Sequence, residues 1–434
     1  MGRVTPFRLV HYAGLVVGGV LVLALIGGGW FFSDDFAFLV PSLGDLLAPH
    51  VGHWSTAPHL LFLLVRDLFG LDSYLPFAVP SVVAHLAFVH LLWRFLLRVG
   101  VAPWLATAGG LLVTFFGGGA ENIGWAFQVG FVGAMALVLG CWLLALRARF
   151  GVAELVAIPL LATLALTFSG TALPLLAGLA ALLIVRRGWR AALILLVPAA
   201  AYGTWWLAVG RSAPAAGRAE GVGQLLTGVP EYALAMLTDG IGRIFPIAVL
   251  GPLLFAAVGI GWVLSVRSAP RRALPAYLLF LVAPLFALAT AYSRVGTGLE
   301  TATSSRYLYF VVPMILPLAL LGLTRLVRSG RVALGPVAVL VGILTVYNAG
   351  GLVATLLERR AISLETERSL SAALDVALAA DPPLDPSVRP LPETALDVQI
   401  GDLLAFHDAG WFSGVDYPAE TADLLRERLL GIRP

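Results

Sequence analysis

The sequence predicts an all-α polytopic membrane protein. It has about eleven transmembrane helices, a cytoplasmic N-terminus, an extracytoplasmic C-terminus and amphipathic helices in the first outer loop. Three observations predict this. Of the 434 residues, 59% are hydrophobic and only 12% are charged, where an ordinary soluble domain is about 45–50% apolar and about 25% charged. Apolar stretches near membrane length recur along the chain. Arginine gathers in every second connection between them.

The composition excludes a soluble globular enzyme, a disordered chain and a secreted disulfide scaffold. The mean hydropathy of +0.92 agrees. The single cysteine, Cys141, excludes an intramolecular disulfide and any cysteine-based metal or iron–sulfur site. All 28 basic residues are Arg. With so much Ala, Gly, Leu and Val, this points to a GC-rich bacterial genome. Nothing suggests a nucleic-acid partner.

A bilayer core about 30 Å thick needs roughly 20 apolar residues per helix. Eleven stretches qualify: 9–31, 75–97, 103–119, 123–146, 152–168, 171–186, 191–210, 245–265, 273–292, 307–325 and 333–356. The fifth and sixth are short, joined by little more than Ser169-Gly170-Thr171. The first ends in Gly-Gly-Gly-Trp-Phe-Phe, without the small-x-small pattern of a cleaved signal peptide, and is read as a retained helix.

Orientation follows from the short loops. Arg3, Arg8, Arg94, Arg98, Arg147, Arg149, Arg186, Arg187, Arg190, Arg267, Arg271, Arg272, Arg325, Arg328 and Arg331 all fall on one side if the helices alternate. That side is read as cytoplasmic. Glu154 is the one acid of the first 357 residues on the same side. Three regions on the other side are long: 32–74, 211–244 and everything after residue 357. The extra mass lies outside, so the chemistry is expected there.

Two domains follow. Residues 1–357 form a membrane body with 11 acids and 21 Arg, and residues 358–434 form a small extracytoplasmic module with 14 acids and 7 Arg. In the module a helical stretch, about 358–380, leads into a Pro-rich link and then a segment with Phe406, His407, Trp411 and Tyr417. It reads either as a cap on the body or as a solvated appendage.

The sharpest chemical feature is Ser33-Asp34-Asp35-Phe36, directly after the first helix. One carboxylate can act as general base on an acceptor hydroxyl. Both can ligate a hard divalent cation. Crowding of like charges can raise one pKa. The bland reading is a helix cap before Phe36. The same loop carries Gly44-Asp45, His50, His53, Trp54 and His59. Metal ligation is one reading of these histidines, although the spacing is not a zinc pattern; contact with a polar substrate or the headgroup boundary is the other. His85 and His90 lie within the second helix and are read as buried hydrogen-bonding residues.

The next outer turn holds Glu121, the only acid in the third and fourth helices or their turn. It can join the Asp34/Asp35 site, or serve as a helix-start residue favoured by the dipole. Between the ninth and tenth helices lie Arg294, Glu300, Ser305, Arg306 and Tyr307. The positive-inside rule disfavours Arg there. Guanidinium forks suit phosphate oxygens, and a salt bridge to Glu300 is the plainer alternative.

This pattern resembles the GT-C superfamily of membrane glycosyltransferases, on Asp34-Asp35 in the first outer loop, Glu121 in the second, and Arg294 with Ser305-Arg306-Tyr307 in a later one. The resemblance covers about residues 1–357, and the module 358–434 matches no part of it. It implies a GT-C-like catalytic body in the bacterial inner membrane, with the active site facing outward. The donor would be a polyprenyl-phosphate-linked sugar, and the acceptor a hydroxyl on a cell-envelope glycan, lipid or protein. Asp34 and Asp35 would be catalytic. Glu121, His53, His59, Arg294, Arg306 and Tyr307 would bind substrate. The anomeric centre would invert. No cofactor is required; a divalent cation (Mg, Mn or Ca) is optional, and Asp34, Asp35 and Glu121 would be its ligands. A second class of function is a non-catalytic transporter or flippase of lipid-linked glycans. Its ionisable groups would line a path through the bilayer, whereas here the charges avoid the helix interiors.

Overall fold

The computed structural model describes residues 6–40, 45–213 and 217–430. Arg3 and Gly44 of the sequence reading therefore lie outside the described residues. Counting helices of eight residues or more, the order begins α1 (Pro6–Ile26), α2 (Thr56–Phe69), α3 (Leu75–Val99), α4 (Pro103–Thr114) and α5 (Val129–Ala145). It continues α6 (Val152–Phe168), α7 (Ala172–Arg187), α8 (Trp189–Ala208), α9 (Val229–Gly242) and α10 (Leu250–Ser265). It ends α11 (Leu274–Arg294), α12 (Ser305–Arg328), α13 (Leu334–Ala379), α14 (Ile400–Asp408) and α15 (Ala419–Leu430).

Each of the eleven apolar stretches is helical. Among the described residues seven helices are long and apolar enough to cross a membrane: α1, α3, α5 with the turn before it, α8, α11, α12 and α13. Shorter apolar helices are α4, α6 and α10, and α7 has 16 residues. Side chains such as Val16, Val20, Leu253 and Ile260 are exposed on these helices. On a bundle wrapped by lipid that is the expected face, because the hydrocarbon is the solvent there. Pro313 and Pro317 sit inside α12; neighbouring helices can satisfy the backbone groups such residues free.

The Arg-bearing connections meet at one end of the bundle. The Arg272 guanidinium donates to the carbonyls of Leu97 and Arg98, both at 2.9 Å. Arg186 reaches the Arg271 carbonyl and Arg187 the Arg147 carbonyl. Arg272 and Arg187 sit over the C-terminal ends of α3 and α5, where the last carbonyls lack helical partners, and Arg186 bonds the turn before α11.

The opposite end carries the long regions. After α1 the chain makes a short 3-10 turn, Ser33–Asp35, and a short helix, Phe36–Leu39. A two-stranded hairpin follows, β1 (Pro49–His50) and β2 (His53–Trp54), paired antiparallel. Its turn residues Val51 and Gly52 both have positive φ, 49° and 81°, which is how a two-residue loop matches strand twist. For a β-branched residue such as Val51 that conformation is strained.

The segment after residue 357 is no loose appendage. α13 runs 46 residues without a break and carries the chain from the bundle into the module. The module packs back on the first loop. Leu71 N–H donates to the Trp411 carbonyl at 2.6 Å, and Ser413 N–H to Asp72 Oδ1 at 3.0 Å. Arg66 lies over the Trp411 ring at 4.1 Å. Trp30 packs against Phe412. Leu391, Ala395, Val398, Ile400, Leu403 and Phe406 give the module its own buried core.

Candidate active site

Adjacent residues Asp34 and Asp35 have different surroundings. The turn Ser33–Asp35 points Asp35 inward, where it is fully buried. Its Oδ2 accepts from the Phe32 N–H and the Tyr74 hydroxyl, both at 3.3 Å, and its Oδ1 from the Phe127 N–H at 3.0 Å. The Tyr74 oxygen in turn accepts from the Ala126 N–H at 2.8 Å. This knot ties the first loop to the turn before α5. Burial pushes the Asp35 carboxyl up to about 7, against the lowering effect of the Phe32 and Phe127 donors. Burial, reinforced by Asp35, likewise raises the Tyr74 phenol. With both oxygens committed and no exposure, Asp35 has no room to reach a substrate hydroxyl. Of the two carboxylates, either of which the sequence offers as the base, this leaves Asp34 the freer one. The cap reading named Ser33 and Asp34; the capping contact comes instead from Asp35, which accepts from the Phe32 N–H.

Asp34 is half-buried and makes no hydrogen bond among the described residues. Its charge acts on His50 and on Asp397, a residue of the module. Burial lowers His50, with Asp34 and Asp397 opposing and Arg294 adding to the shift. Burial, with help from Asp34, raises Asp397. His53 falls to about 4 through burial, Arg294 and His50. His53 also lines a pocket of about 400 Å³ with Gly170, Thr171, Tyr202, Phe286 and Ser293. A Cβ at Gly170 would meet His53 Nδ1 at 3.0 Å and the Tyr202 hydroxyl at 3.3 Å, so a larger residue there would crowd both. His59 is 3% exposed, packs edge-on against Phe38, and has both ring nitrogens buried without a hydrogen-bond partner among the described residues.

A third cluster lies beside the first two. Glu121 Oε1 pairs with Arg359 Nη2 at 2.8 Å, and its Oε2 with Arg306 Nε at 3.4 Å. The Ser305 hydroxyl accepts the Glu121 N–H at 3.1 Å. Arg359 sits over Phe32 and Trp125, 5.5 and 5.4 Å from the ring centres, and those rings stack at 4.9 Å. Phe32 lies two residues before Asp34 in the chain, on the segment that leads into the Ser33–Asp35 turn. Arg306 Nε and Arg359 Nη1 are buried without a hydrogen-bond partner among the described residues. Buried guanidinium N–H groups are costly to leave unmet.

The sequence-derived residues thus divide. Glu121 and Arg306 come together, and Arg306 pairs with Glu121 rather than Glu300. Arg294 acts on His50 and His53, and with Arg306 and Tyr307 on Tyr232. Tyr307 packs edge-on against Phe286, a wall of the His53 pocket. Asp34, Asp35 and Glu121 do not gather as a ligand set: Asp35 is tied in its knot and Glu121 is held by two Arg. Among the described residues no three acids, histidines or cysteines do gather. His85 is bonded to the Tyr309 hydroxyl and Thr114 carbonyl, within the bundle.

Sequence reasoning missed Arg359 and Asp397. A signal existed for the first: Arg359 and Arg360 follow an apolar stretch on the side where Arg is disfavoured. Placing a domain boundary at 357 hid them. Asp397, alone in Ala395-Leu396-Asp397-Val398, offered none.

No family model matches the chain, and no curated protein matches it. Among solved structures it is similar to the crystal structure of ArnT from Cupriavidus metallidurans bound to undecaprenyl phosphate. The TM-score is 0.52 at 15% identity, over 87% of this chain and 81% of that one. The chain shares the fold of that structure. At this identity the shared feature is the helical framework, and it extends past residue 357, where the sequence resemblance stopped.

Proposed function

We propose that this GT-C chain is an inner-membrane glycosyltransferase that takes its sugar from a polyprenyl-phosphate donor. The observation that carries this is the pair of half-buried guanidinium groups, Arg306 and Arg359, each with one buried N–H that lacks a hydrogen-bond partner among the described residues, Arg359 lying over the ring of Phe32 two residues before the half-buried Asp34. The fold supports it, and the similar ArnT structure holds undecaprenyl phosphate. The arginine sorting makes the Asp34 end the extracytoplasmic one.

In this reading the donor phosphate lies against Arg306 and Arg359, which Glu121 holds in place. The acceptor oxygen attacks the anomeric carbon as its proton passes to Asp34. The bond from that carbon to the phosphate oxygen breaks, and its electron pair leaves with the polyprenyl phosphate, stabilised by the two guanidiniums. Attack opposite the leaving group inverts the centre. Asp35 holds the turn that aims Asp34. Arg294 and the His53 pocket contact the sugar side.

The test is Asp34→Asn, purified in nanodiscs. Transfer should drop by about 10²–10⁴-fold, the usual worth of a general base, while undecaprenyl phosphate still binds and the melting temperature holds. Full transfer by Asp34→Asn would sink the reading.

A further inference from the structure

We infer that the C-terminal module forms the acceptor wall of this site, with Asp397 as an acceptor-binding residue, and that it selects an uncharged, polyhydroxylated acceptor over an anionic one. The inference rests on the glycosyltransferase reading above and adds to it the class of acceptor.

Ser33, the residue before Asp34, has φ of 53°. Left-handed backbone is strained in a residue other than glycine, and surrounding structure must hold it there. What holds it is the module: Ser33 N–H donates to the Thr394 carbonyl at 2.7 Å. Three residues further on is Asp397, half-buried, whose carboxyl senses Asp34 and His50. One short segment, 394–397, therefore bonds the backbone just before Asp34 and carries a second carboxylate that feels the Asp34 charge. Behind His50 lies His59, 3% exposed, with both ring nitrogens unmet among the described residues.

The two walls differ in charge. On one side Arg306 and Arg359 suit a phosphate. On the other, the module beyond Arg360, residues 361–434, carries 13 acids against 5 Arg. A carboxylate beside the attacking oxygen accepts hydrogen bonds from neighbouring hydroxyls and repels an acidic group.

The experiment uses the full chain in nanodiscs. A panel of undecaprenyl-phosphate sugars serves as donors, and octyl glycosides, neutral or phosphorylated, serve as acceptors. The wild type should prefer the neutral glycosides. Asp397→Asn should raise the neutral acceptor's KM about tenfold or more, the effect of losing one charge-assisted hydrogen bond, with undecaprenyl phosphate affinity unchanged. Asp397→Glu should recover most of the loss, which a merely structural role would not predict. An unchanged acceptor KM in Asp397→Asn, a preference for the phosphorylated glycoside, or transfer to neither class overturns the inference. The glycosyltransferase reading fails separately, if the wild type does not bind undecaprenyl phosphate or if Asp34→Asn transfers fully.

Discussion

Two buried polar clusters lie near one another at the Asp34 end of the molecule, and they differ in completeness. Around Asp35 the carboxylate oxygens, the Tyr74 hydroxyl and three backbone N–H groups answer one another. Around Glu121, two guanidiniums share one carboxylate, and Arg306 Nε, Arg359 Nη1 and Glu121 Oε2 have no hydrogen bond among the described residues. A finished network rigidifies a scaffold; a buried charge left half-answered is expensive and marks where a ligand completes it. The Asp35 knot is therefore read as architecture and the arginine pair as binding surface.

The strongest way to break that contrast is to remove the arginines. Arg306→Ala with Arg359→Ala should weaken undecaprenyl phosphate binding by about 100-fold or more, at roughly 1.5–3 kcal/mol per charge-assisted hydrogen bond. Some stability should be lost as well, because Glu121 is left without either partner. Titration calorimetry in nanodiscs reads the first and thermal denaturation the second. Normal affinity with a large loss of melting temperature would reverse the assignment.

Next in size is the knot. Asp35→Ala leaves the Phe32 and Phe127 N–H groups and the Tyr74 hydroxyl unmet, and should cost about 3–5 kcal/mol. Asp34→Ala, with no bond to lose, should cost less than about 0.5 kcal/mol. Equal losses of melting temperature for the two would mean that the turn does not separate them.

A pH series sharpens the same point. The folded Asp35 carboxyl is raised to about 7 from the ordinary carboxyl value of 3.8. Between those values the folded state holds the proton and the unfolded state does not. Asp35 therefore stabilises the fold fully below about pH 4, and that contribution is lost as pH climbs to about 7. His50, His53 and His59 are lowered by burial and act oppositely, favouring the fold less as pH drops below about 6.5. The readout is thus the difference in melting temperature between wild type and Asp35→Asn, which should shrink by several degrees between pH 5 and pH 8. A flat difference would show a carboxylate already ionised in the fold.

How much of this was legible in the sequence follows from the range of each interaction. The helical stretches were legible because apolar length is a local property. Asp34 stood out by position alone, at the end of α1. That Asp35 is buried depends on Phe127, 92 residues away, and on the module packing over Trp30 and Leu71. No periodicity encodes such contacts. Arg359 was half-legible, as a charge in a place where charges are rare, but it was counted with the wrong segment. The module itself looked like an appendage because its core is small and its surface acidic; what fixes it is a set of backbone bonds to the first loop, which leave no trace in composition.

The smallest expected effect concerns the strained residue between α1 and Asp34. In Ser33→Gly, left-handed strain of about 1–2 kcal/mol is relieved, while the more flexible unfolded chain takes back about 0.5–1 kcal/mol. The net change should be a small gain in stability, and transfer should stay within about twofold because the N–H bond to Thr394 survives. Ser33→Pro deletes that N–H and fixes φ near −65°, so it should lose both stability and transfer. If glycine also abolished transfer, then the strain, and not the bond from the module, would be what holds Asp34 in place.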